Sequence, residues 1–358
     1  MNYDVTFNIG QKKISLDNPT YFIADIAANH DGDIERAKDL IWKSKEAGAD
    51  CAKFQHFIAD KIVSDVGFSE GVGNISHQAS WKKSVSEIYE QYHTRREWTD
   101  ILVQTCKDAN IEFMTTPYDL EAVDMFESIV PAYKVGSGDL TFHSQLLKMA
   151  QIGKPILLAT GASTMREIEN VVDLILKHNK QLCLMQCNTN YTGSPDNFKS
   201  VNLRVLQSFS ERWPGMVLGF SDHTPGHNAV LGSVTLGARV IEKHFTDDTT
   251  REGPDHSFAM DPHTWADMIT ATRELESSLG DGIKRVESNE LETVIIQRRC
   301  LRAKEDMSTG TIITKHNIEA LRPCPEGALP PYELQNILGK KLRINIIRGR
   351  EILWEDLD

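Results

Sequence analysis

The sequence predicts an α/β protein with a TIM (β/α)8 barrel as its main domain and a small β-rich domain after it. Eight short apolar runs alternate with longer amphipathic segments from Thr20 to about Leu279, which fits a barrel in both count and length. The runs are continuously apolar, as is typical of parallel strands that are buried on both faces. A doubly wound open sheet is the alternative, and the unbroken count of eight units favours the barrel.

The predicted strands follow one another at regular intervals, with one helical pattern after each. They are YFIADIAAN (21–29), DCAKFQHF (50–57), IEFMTTPY (111–118), AYKVGSG (132–138), PILLATG (155–161), LCLMQCN (182–188), MVLGFSD (216–222) and ARVIEKHF (238–245). The helical patterns include IERAKDLIWKSKEAG after the first strand, MREIENVVDLILKHN after the fifth and TWADMITATRELESSL after the eighth. Strands that alternate with helices in this way indicate βαβ units in a parallel sheet.

The pattern changes near Glu287, where short β-like segments replace the alternation. TVIIQRRCLRAKEDMSTGTIITKHNIEALRP and ILGKKLRINIIRGREILWEDLD contain the turn signals STG and RGR. We therefore predict a barrel domain over 1–280, a linker over 281–289 and a compact domain over 290–358. A domain of this size has little core of its own, so we expect it to pack against a barrel.

Composition excludes several classes of function. The 358 residues carry a formal net charge of −12 at pH 7, which argues against a nucleic acid or an anionic membrane as the main partner. The amino terminus lacks the pattern of a signal peptide, and no apolar run is long enough to span a membrane. The six cysteines are scattered along the chain, which is typical of reduced core thiols. We expect a cytoplasmic protein.

Polar side chains stand at or just after the carboxyl end of every predicted strand, the end at which TIM-barrel enzymes carry their active sites. The candidates are Asp25, Lys53, Gln55, Thr116, Lys134, Ser137, Thr160, Tyr191, Ser221, His223 and His244. Helix capping is the simpler explanation for some strand ends, since Thr116, Ser163 and Thr224 would serve as N-caps. Capping alone does not explain polar ends on all eight strands.

Two lysines in apolar strands indicate an anion site. Lys53 lies in CAKFQ and Lys134 in AYKVG, and lysine is rarely buried without a partner. One interpretation is a salt bridge from each lysine to a core carboxylate. The other is a pair of ammonium groups that hold a phosphate or carboxylate, assisted by the backbone N–H groups of the turn at Ser137 and Gly138.

Two histidines at the ends of successive strands indicate a metal site. Neutral imidazoles from His223 and His244 would suit a divalent cation with open coordination positions, although a hydrogen-bonded or capping pair is the alternative. Asp255 follows the eighth strand in REGPDH. The Gly-Pro turn before it would direct its carboxylate towards the barrel mouth.

These segments together resemble the bacterial sialic acid synthase family, the phosphoenolpyruvate-dependent synthases of nine-carbon sugars. The matching pieces are ADIAANHDGD, AKFQHF, MTTPYD, PAYKVGSGD, GKPILLATG, GFSDHTPG, VIEKHFT and GPDHSFAM. The last domain resembles the family's antifreeze-like (SAF) domain over LRAKEDMSTGTIITKHNIEALRP. The resemblance covers nearly the whole chain.

The resemblance implies a condensation of phosphoenolpyruvate with an N-acylated hexosamine and water, with C–O cleavage, release of phosphate and dependence on Mn²⁺ or Mg²⁺. It implies that His223 and His244 hold the metal. The implied phosphoenolpyruvate contacts are Lys53, Thr116, Lys134, Ser137, Gly138 and Ser221, and the implied sugar contacts are Gln55, Tyr191 and Asp255. It also implies a domain-swapped homodimer, in which Arg322 reaches the sugar bound in the other subunit.

Several positions depart from the family pattern. Asp25 stands where a glutamate usually ends the first strand, and we expect it to handle the proton of the water or a hydroxyl group. Thr189 stands where an asparagine often contacts the phosphate. Ala159 replaces a serine, with Thr160 next to it as a substitute. CPEGALPPY replaces the usual glycine-rich turn after Arg322.

Other functions fit parts of the same pattern. A barrel synthase that takes a phosphorylated sugar is one alternative, and an aldolase with a Schiff base on Lys134 is another. A sugar-binding protein without catalysis is the third, but it would be expected to have lost a core lysine or histidine. The sequence leaves open whether the acceptor is N-acetylmannosamine or a diacetamido-trideoxyhexose.

Overall fold

The computed structural model describes residues 3–68, 81 and 83–358. The chain divides into two compact units, of which the first ends at Gly280 and the second runs from Asp281 to Asp358. None of the helices in these described ranges combines the length and the apolar character needed to cross a bilayer.

The first unit contains a sheet of eight parallel strands. They are β1 (Tyr21–Asp25), β2 (Cys51–His56), β3 (Glu112–Pro117), β4 (Tyr133–Val135), β5 (Ile156–Ala159), β6 (Leu182–Cys187), β7 (Val217–Asp222) and β8 (Ala238–His244). Their order in the sheet is β3-β2-β1-β8-β7-β6-β5-β4, and β3 lies against β4. The two ends of the sheet therefore meet in a near-closed barrel, which confirms the TIM-barrel prediction over the open sheet.

Eight main helices accompany the strands. They are α1 (Ile34–Glu46), α2 (Thr99–Asp108), α3 (Leu120–Phe126), α4 (His143–Ile152), α5 (Met165–Leu176), α6 (Val205–Arg212), α7 (Asn228–Thr235) and α8 (Pro262–Leu279). Among the described residues between β2 and α2 there are three shorter helices, Ala59–Ile62, Asp65–Gly67 and Val85–Tyr92, where the sequence predicts one helix only. This insertion enlarges the loop at the carboxyl end of β2.

The helix caps differ from those expected. Asp119 and Thr164 are the residues whose side chains cap α3 and α5, and His227 precedes α7 without a side-chain cap. Thr116, Ser163 and Thr224 are therefore not the N-caps. Capping does not account for Thr116 at the end of its strand, so another explanation is needed for it.

The amino end of the barrel is filled by apolar side chains. A hairpin of Thr6–Ile9 and Lys12–Ser15 precedes β1. Its Phe7, Ile9 and Ile14 belong to one buried cluster with Tyr21, Ile23, Cys51, Met114, Ala132, Leu157, Cys183, Met185, Val217 and Val240 from the strands. A second and larger cluster lies between the strands and the helices. The charged residues inside the barrel thus lie towards its carboxyl end.

The second unit has a small core of its own. Its strands β9 (Cys300–Ala303) and β10 (Ile318–Leu321) pair antiparallel, and Leu301, Ile313 and Ile346 are among its buried residues. Its helices are Leu291–Gln297 and Leu334–Ile337. The first of these replaces the β structure expected around TVIIQ, because Leu291, Val294 and Ile295 repeat at helical rather than strand spacing.

Candidate active site

The carboxyl ends of the barrel strands bring most of the predicted site residues together. The parallel register places the following residues opposite one another on adjacent strands: Asp25 and Lys53, Asp25 and His244, Gln55 and Thr116, Ser221 and Glu242. Residues from distant parts of the chain thereby form one buried group. Glu242 belongs to it, although nothing in the sequence alone marks Glu242 as a site residue.

Alternating positive and negative charges form the floor of this group. Lys53 Nζ lies 2.9 Å from Asp25 Oδ2 and 4.0 Å from Glu242 Oε1, and Lys134 Nζ lies 3.3 Å from the same Glu242 oxygen. Lys53 also donates to Thr116 Oγ1 at 3.3 Å, and Ser221 Oγ donates to Glu242 at 3.4 Å. Burial alone would lower the pKa of Lys53, but Asp25 and Glu242 raise it above its ordinary value.

These ion pairs leave hydrogen-bonding capacity unused. Among the described residues, Asp25 Oδ1 and Glu242 Oε2 are buried and have no hydrogen-bond partner. Buried polar atoms are normally paired, so the two interpretations of the lysines combine. Each lysine has a core carboxylate, and the network as a whole retains acceptor atoms for a ligand, a water molecule or a proton.

The two histidines lie side by side, with ring centroids 5.4 Å apart. His223 Nδ1 lies 3.2 Å from the carbonyl oxygen of Asn188, and donation there leaves the lone pair on Nε2 for a metal. His244 Nδ1 is buried without a hydrogen-bond partner in the described part of the chain. Burial holds the pKa of His244 well below its usual value, which favours the neutral form that binds metals.

This donor set fits a divalent cation that completes its coordination with substrate or water. No group of three or more His, Cys, Asp or Glu side chains with metal-binding geometry occurs among the described residues. Asp25 Oδ2 lies 3.8 Å from His244 Nε2, and Cys187 Sγ lies 3.9 Å from His223 Nδ1. Open positions beside two imidazoles are what a Lewis-acid site requires.

The loops after β4, β5 and β6 meet around Gly161. Gly161 donates its N–H to Ser137 Oγ at 3.0 Å, and a Cβ at Gly161 would lie 1.9 Å from Thr189 Oγ1. A residue without a side chain is therefore required at position 161, where Ser137 and Thr189 both approach the backbone. The exposed Gly138 lies in the adjoining turn, Ser137–Asp139. Thr160 differs from these residues, because its hydroxyl donates to the carbonyl of Met185 at 2.9 Å.

Asp139 is a second carboxyl group at the site that was not predicted from the sequence. Burial raises its pKa to about 6, although Lys134 acts in the opposite direction. Its Oδ2 is buried and has no hydrogen-bond partner among the described residues. A carboxyl group that titrates near neutral pH is suited to proton transfer, and the sequence signal for it was its position directly after the Gly-Ser-Gly turn.

A cavity of about 150 Å³ opens beside His244. Its described lining residues are Ala28, Gln55, Phe57, Ile62, Trp81, Ile88, Tyr89, Tyr92, Tyr118, Tyr191, His244, Pro254 and Asp255. Asp255 Oδ2 accepts from the N–H of Ala28 at 3.2 Å and lies 3.8 Å from His244 Nδ1. Burial raises the pKa of Asp255 to about 6. The three predicted sugar contacts, Gln55, Tyr191 and Asp255, thus line one cavity.

Arg322 lies in the second unit, where it is exposed directly after β10. Its proposed contact with the sugar in a partner subunit stays a prediction.

Most of the chain is similar to known proteins. The NeuB family matches residues 40–284, and the SAF domain matches residues 298–358. An N,N'-diacetyllegionaminic acid synthase of Legionella pneumophila is 32% identical over 94% of both chains. The human N-acetylneuraminate-9-phosphate synthase is 30% identical over 95% of this chain and 93% of its own.

A solved structure is similar as well. The N-acetylneuraminic acid synthetase of Leptospira borgpetersenii, in complex with citrate, superposes with a TM-score of 0.71 and 27% identity. That alignment covers 81% of this chain and 95% of the other.

Proposed function

Because the chain belongs to the NeuB family, we propose that it condenses phosphoenolpyruvate with an unphosphorylated N-acylated hexosamine and water, which gives a nine-carbon nonulosonic acid and phosphate. The chain is an enzyme of the transferase class, as its synthase relatives are. One observation carries the proposal: the buried network of Asp25, Lys53, Glu242 and Lys134 lies beside a histidine pair at the catalytic end of a barrel.

Phosphoenolpyruvate would occupy the charged end of the site. Lys53 and Lys134 supply positive charge where water is scarce and electrostatic contacts are strong. Ser137 and Thr189, brought together at Gly161, supply hydroxyl groups for the phosphate. The substrate would compete with Glu242 for both lysines, since one carboxylate oxygen now lies near the two ammonium groups.

The chemistry requires C–C bond formation, addition of water and loss of phosphate. The methylene carbon of phosphoenolpyruvate attacks the aldehyde carbon, water adds at C2, and the C–O bond to phosphate breaks. Asp25 Oδ1, which has no hydrogen-bond partner among the described residues, would accept the proton of that water. Asp139 is the second candidate for proton transfer, because its buried Oδ2 has no hydrogen-bond partner among the described residues and burial raises its pKa to about 6.

We propose that His223 and His244 hold the divalent cation, Mn²⁺ or Mg²⁺. When bound, the cation would act as a Lewis acid on the aldehyde oxygen of the open-chain sugar. His244 connects the two parts of the site, since it lies near Asp25 on one side and Asp255 on the other.

The cavity beside His244 favours an acceptor without a phosphate group. Its described lining contains neither lysine nor arginine, and phosphate recognition in proteins relies on such cations. Tyrosine, tryptophan and isoleucine side chains form much of the wall instead, which suits the C–H faces and acyl groups of a neutral amino sugar. A synthase of the alternative class would be expected to place cationic side chains here for the phosphate group of its sugar.

A direct assay tests the proposal. Phosphate release from phosphoenolpyruvate is measured with N-acetylmannosamine, with its 6-phosphate and with a 2,4-diacetamido-2,4,6-trideoxyhexose, each with Mn²⁺, with Mg²⁺ and with EDTA. We expect metal-dependent release with an unphosphorylated acceptor. A preference for the 6-phosphate would contradict the proposed acceptor. Borohydride trapping of pyruvate on Lys134 would instead support the Schiff-base aldolase.

We further propose that the enzyme acts as a homodimer in which Arg322 of one subunit completes the sugar site of the other. Arginine presents its donors in a planar fork, and this geometry suits the carbonyl oxygen of an N-acyl group. The second unit would then have a catalytic role in addition to its own small core.

A further inference from the structure

Asp255 and His256 are neighbours in the chain, and each makes different contacts at the barrel mouth. Asp255 lines the acceptor cavity. His256 is completely buried, and its Nδ1 lies 2.7 Å from Thr246 Oγ1 while its Nε2 lies 2.8 Å from Asp31 Oδ1. The loop after β8 is therefore anchored at the residue next to the predicted sugar contact.

Asp31 connects this anchor to the loop after β1. Its Oδ2 accepts from Arg251 Nε at 3.0 Å and Nη2 at 2.7 Å, and it lies 3.2 Å from Arg36 Nε. Arg36 also pairs with Asp247. One carboxylate thus joins α1 to two points of the loop after β8. We call Asp31, Arg36, Arg251 and His256 the Asp31 network.

The backbone of the anchored loop packs closely against its own anchor. A Cβ at Gly253 would lie 2.6 Å from His256 Cδ2, so the backbone packs directly on the imidazole ring. On the other side, the N–H of Ala28 donates to Asp255. The loops after β1 and β8 therefore hold Asp255 from two directions, through the backbone of Ala28 and through the side chain of Asp31.

We propose that Asp31 and His256 are positioning residues that hold Asp255 in place for the acceptor sugar. This inference rests on the proposed function, in which Asp255 binds the sugar. A loop that is ordered before binding does not lose conformational freedom when the sugar arrives. Without the network, acceptor affinity should fall while phosphoenolpyruvate affinity stays the same, because the ion pairs of Lys53 and Lys134 are with Asp25 and Glu242, which lie on β1 and β8.

The test compares Asp31→Asn and Asp31→Ala with Glu276→Gln. Glu276 is a matched control, since its side chain is 16% exposed against 19% for Asp31. It also accepts from an arginine, Arg273, and from the N–H of Thr20 at the amino end of the barrel. We expect Asp31→Ala to raise the acceptor KM on the order of 10-fold and Asp31→Asn to raise it less, because asparagine retains an acceptor for His256. Glu276→Gln should leave both KM values unchanged.

A double-mutant cycle separates positioning from general destabilisation. If Asp31 acts through Asp255, Asp31→Ala should add little to the acceptor KM of Asp255→Ala. Additive effects, or equal increases in the acceptor and phosphoenolpyruvate KM values, would overturn the inference.

Hydrogen–deuterium exchange supplies a readout that needs no turnover. In Asp31→Asn, exchange should increase in segments 27–32 and 249–257 and stay unchanged elsewhere, whereas unchanged exchange in both segments would overturn the inference. Failure of the proposed function would look different, because the wild-type enzyme would then release no phosphate with any hexosamine.

Discussion

Replacing Glu242 with glutamine tests whether the charged network is an anion site. The substitution keeps the size of the side chain but removes the negative charge nearest to Lys134 and one of the two nearest to Lys53. At separations of 3.3 Å and 4.0 Å, Coulomb's law with an effective dielectric constant of about 20 gives roughly 5 and 4 kcal/mol for the two attractions. Desolvation offsets part of this, and breaking a buried pair costs about 3–5 kcal/mol in practice.

A loss of this size should lower the midpoint of thermal unfolding by roughly 6–20 °C for a domain of this length. An anion should reverse much of the loss. In Glu242→Gln, Lys53 would keep its ion pair with Asp25, whereas Lys134 would lose its ion pair with Glu242, so phosphate or phosphoenolpyruvate should bind the variant more tightly than the wild type. A ligand that binds only the folded state stabilises that state, and the gain in stability rises with the logarithm of the ratio of ligand concentration to dissociation constant.

Asp222→Asn is the matched control for this experiment. Lys243 and Asp222 form a fully buried pair with Nζ–Oδ2 at 2.7 Å, but alternation along β7 and β8 directs both away from the barrel interior. Asp222→Asn should therefore be destabilised without any gain from anions. The assay is thermal unfolding in EDTA across a series of phosphate and phosphoenolpyruvate concentrations. Equal anion stabilisation of wild type and Glu242→Gln would refute the assignment of this network to the phosphoenolpyruvate site.

Further predictions concern the metal, the proton transfers, the bond broken and the dimer. His223→Ala and His244→Ala should stay folded by circular dichroism but lose Mn²⁺ binding in calorimetry together with turnover. Asp139→Asn should raise the midpoint of thermal unfolding at pH 7.5 but not at pH 4. The pKa of Asp139 is about 6 in the folded protein against an ordinary value of 3.8, so wild-type stability falls as the pH rises between those two values. Asparagine carries no charge and avoids this loss. ¹⁸O in the bridging position of phosphoenolpyruvate should appear in phosphate by mass spectrometry, whereas label retained in the sugar would indicate P–O cleavage. A mixture of Arg322→Ala and His223→Ala subunits should recover up to about a quarter of wild-type activity. Random pairing in a two-fold dimer makes half of the dimers mixed, and each mixed dimer has one intact site. No recovery in confirmed heterodimers would place Arg322 outside the partner's site.

The fold followed from the sequence because each barrel strand is a continuous apolar run with a helical pattern after it. The predicted runs extended beyond the strands at their carboxyl ends, as in 21–29 against Tyr21–Asp25. Those extra residues form the loops of the site, where polar groups contact one another rather than continue the strand ladder.

A residue of the candidate site was predictable where its own position in the sequence was unusual, as with Lys53 inside an apolar strand or His244 at the end of one. It was not predictable where the signal depends on contacts between distant strands. In the sequence, Glu242 is a single acidic residue in an apolar strand. Its importance becomes visible only in the structure, where it lies beside Lys53 and Lys134. Gly161 had no signal in the sequence, because its importance comes from how closely Thr189 approaches it.

The apolar cluster that fills the amino end of the barrel has a consequence for the order of events in catalysis. In the described part of the chain, the hairpin side chains Phe7, Ile9 and Ile14 close that end, so substrates and products share the opposite opening. The lysines lie deeper than the acceptor cavity, since Lys53 and Lys134 are almost fully buried while Tyr89 and Tyr92 on the cavity wall are partly exposed. A sugar in the cavity would stand between phosphoenolpyruvate and solvent. On the proposed function, we therefore expect phosphoenolpyruvate to bind before the sugar and phosphate to leave after the nine-carbon product.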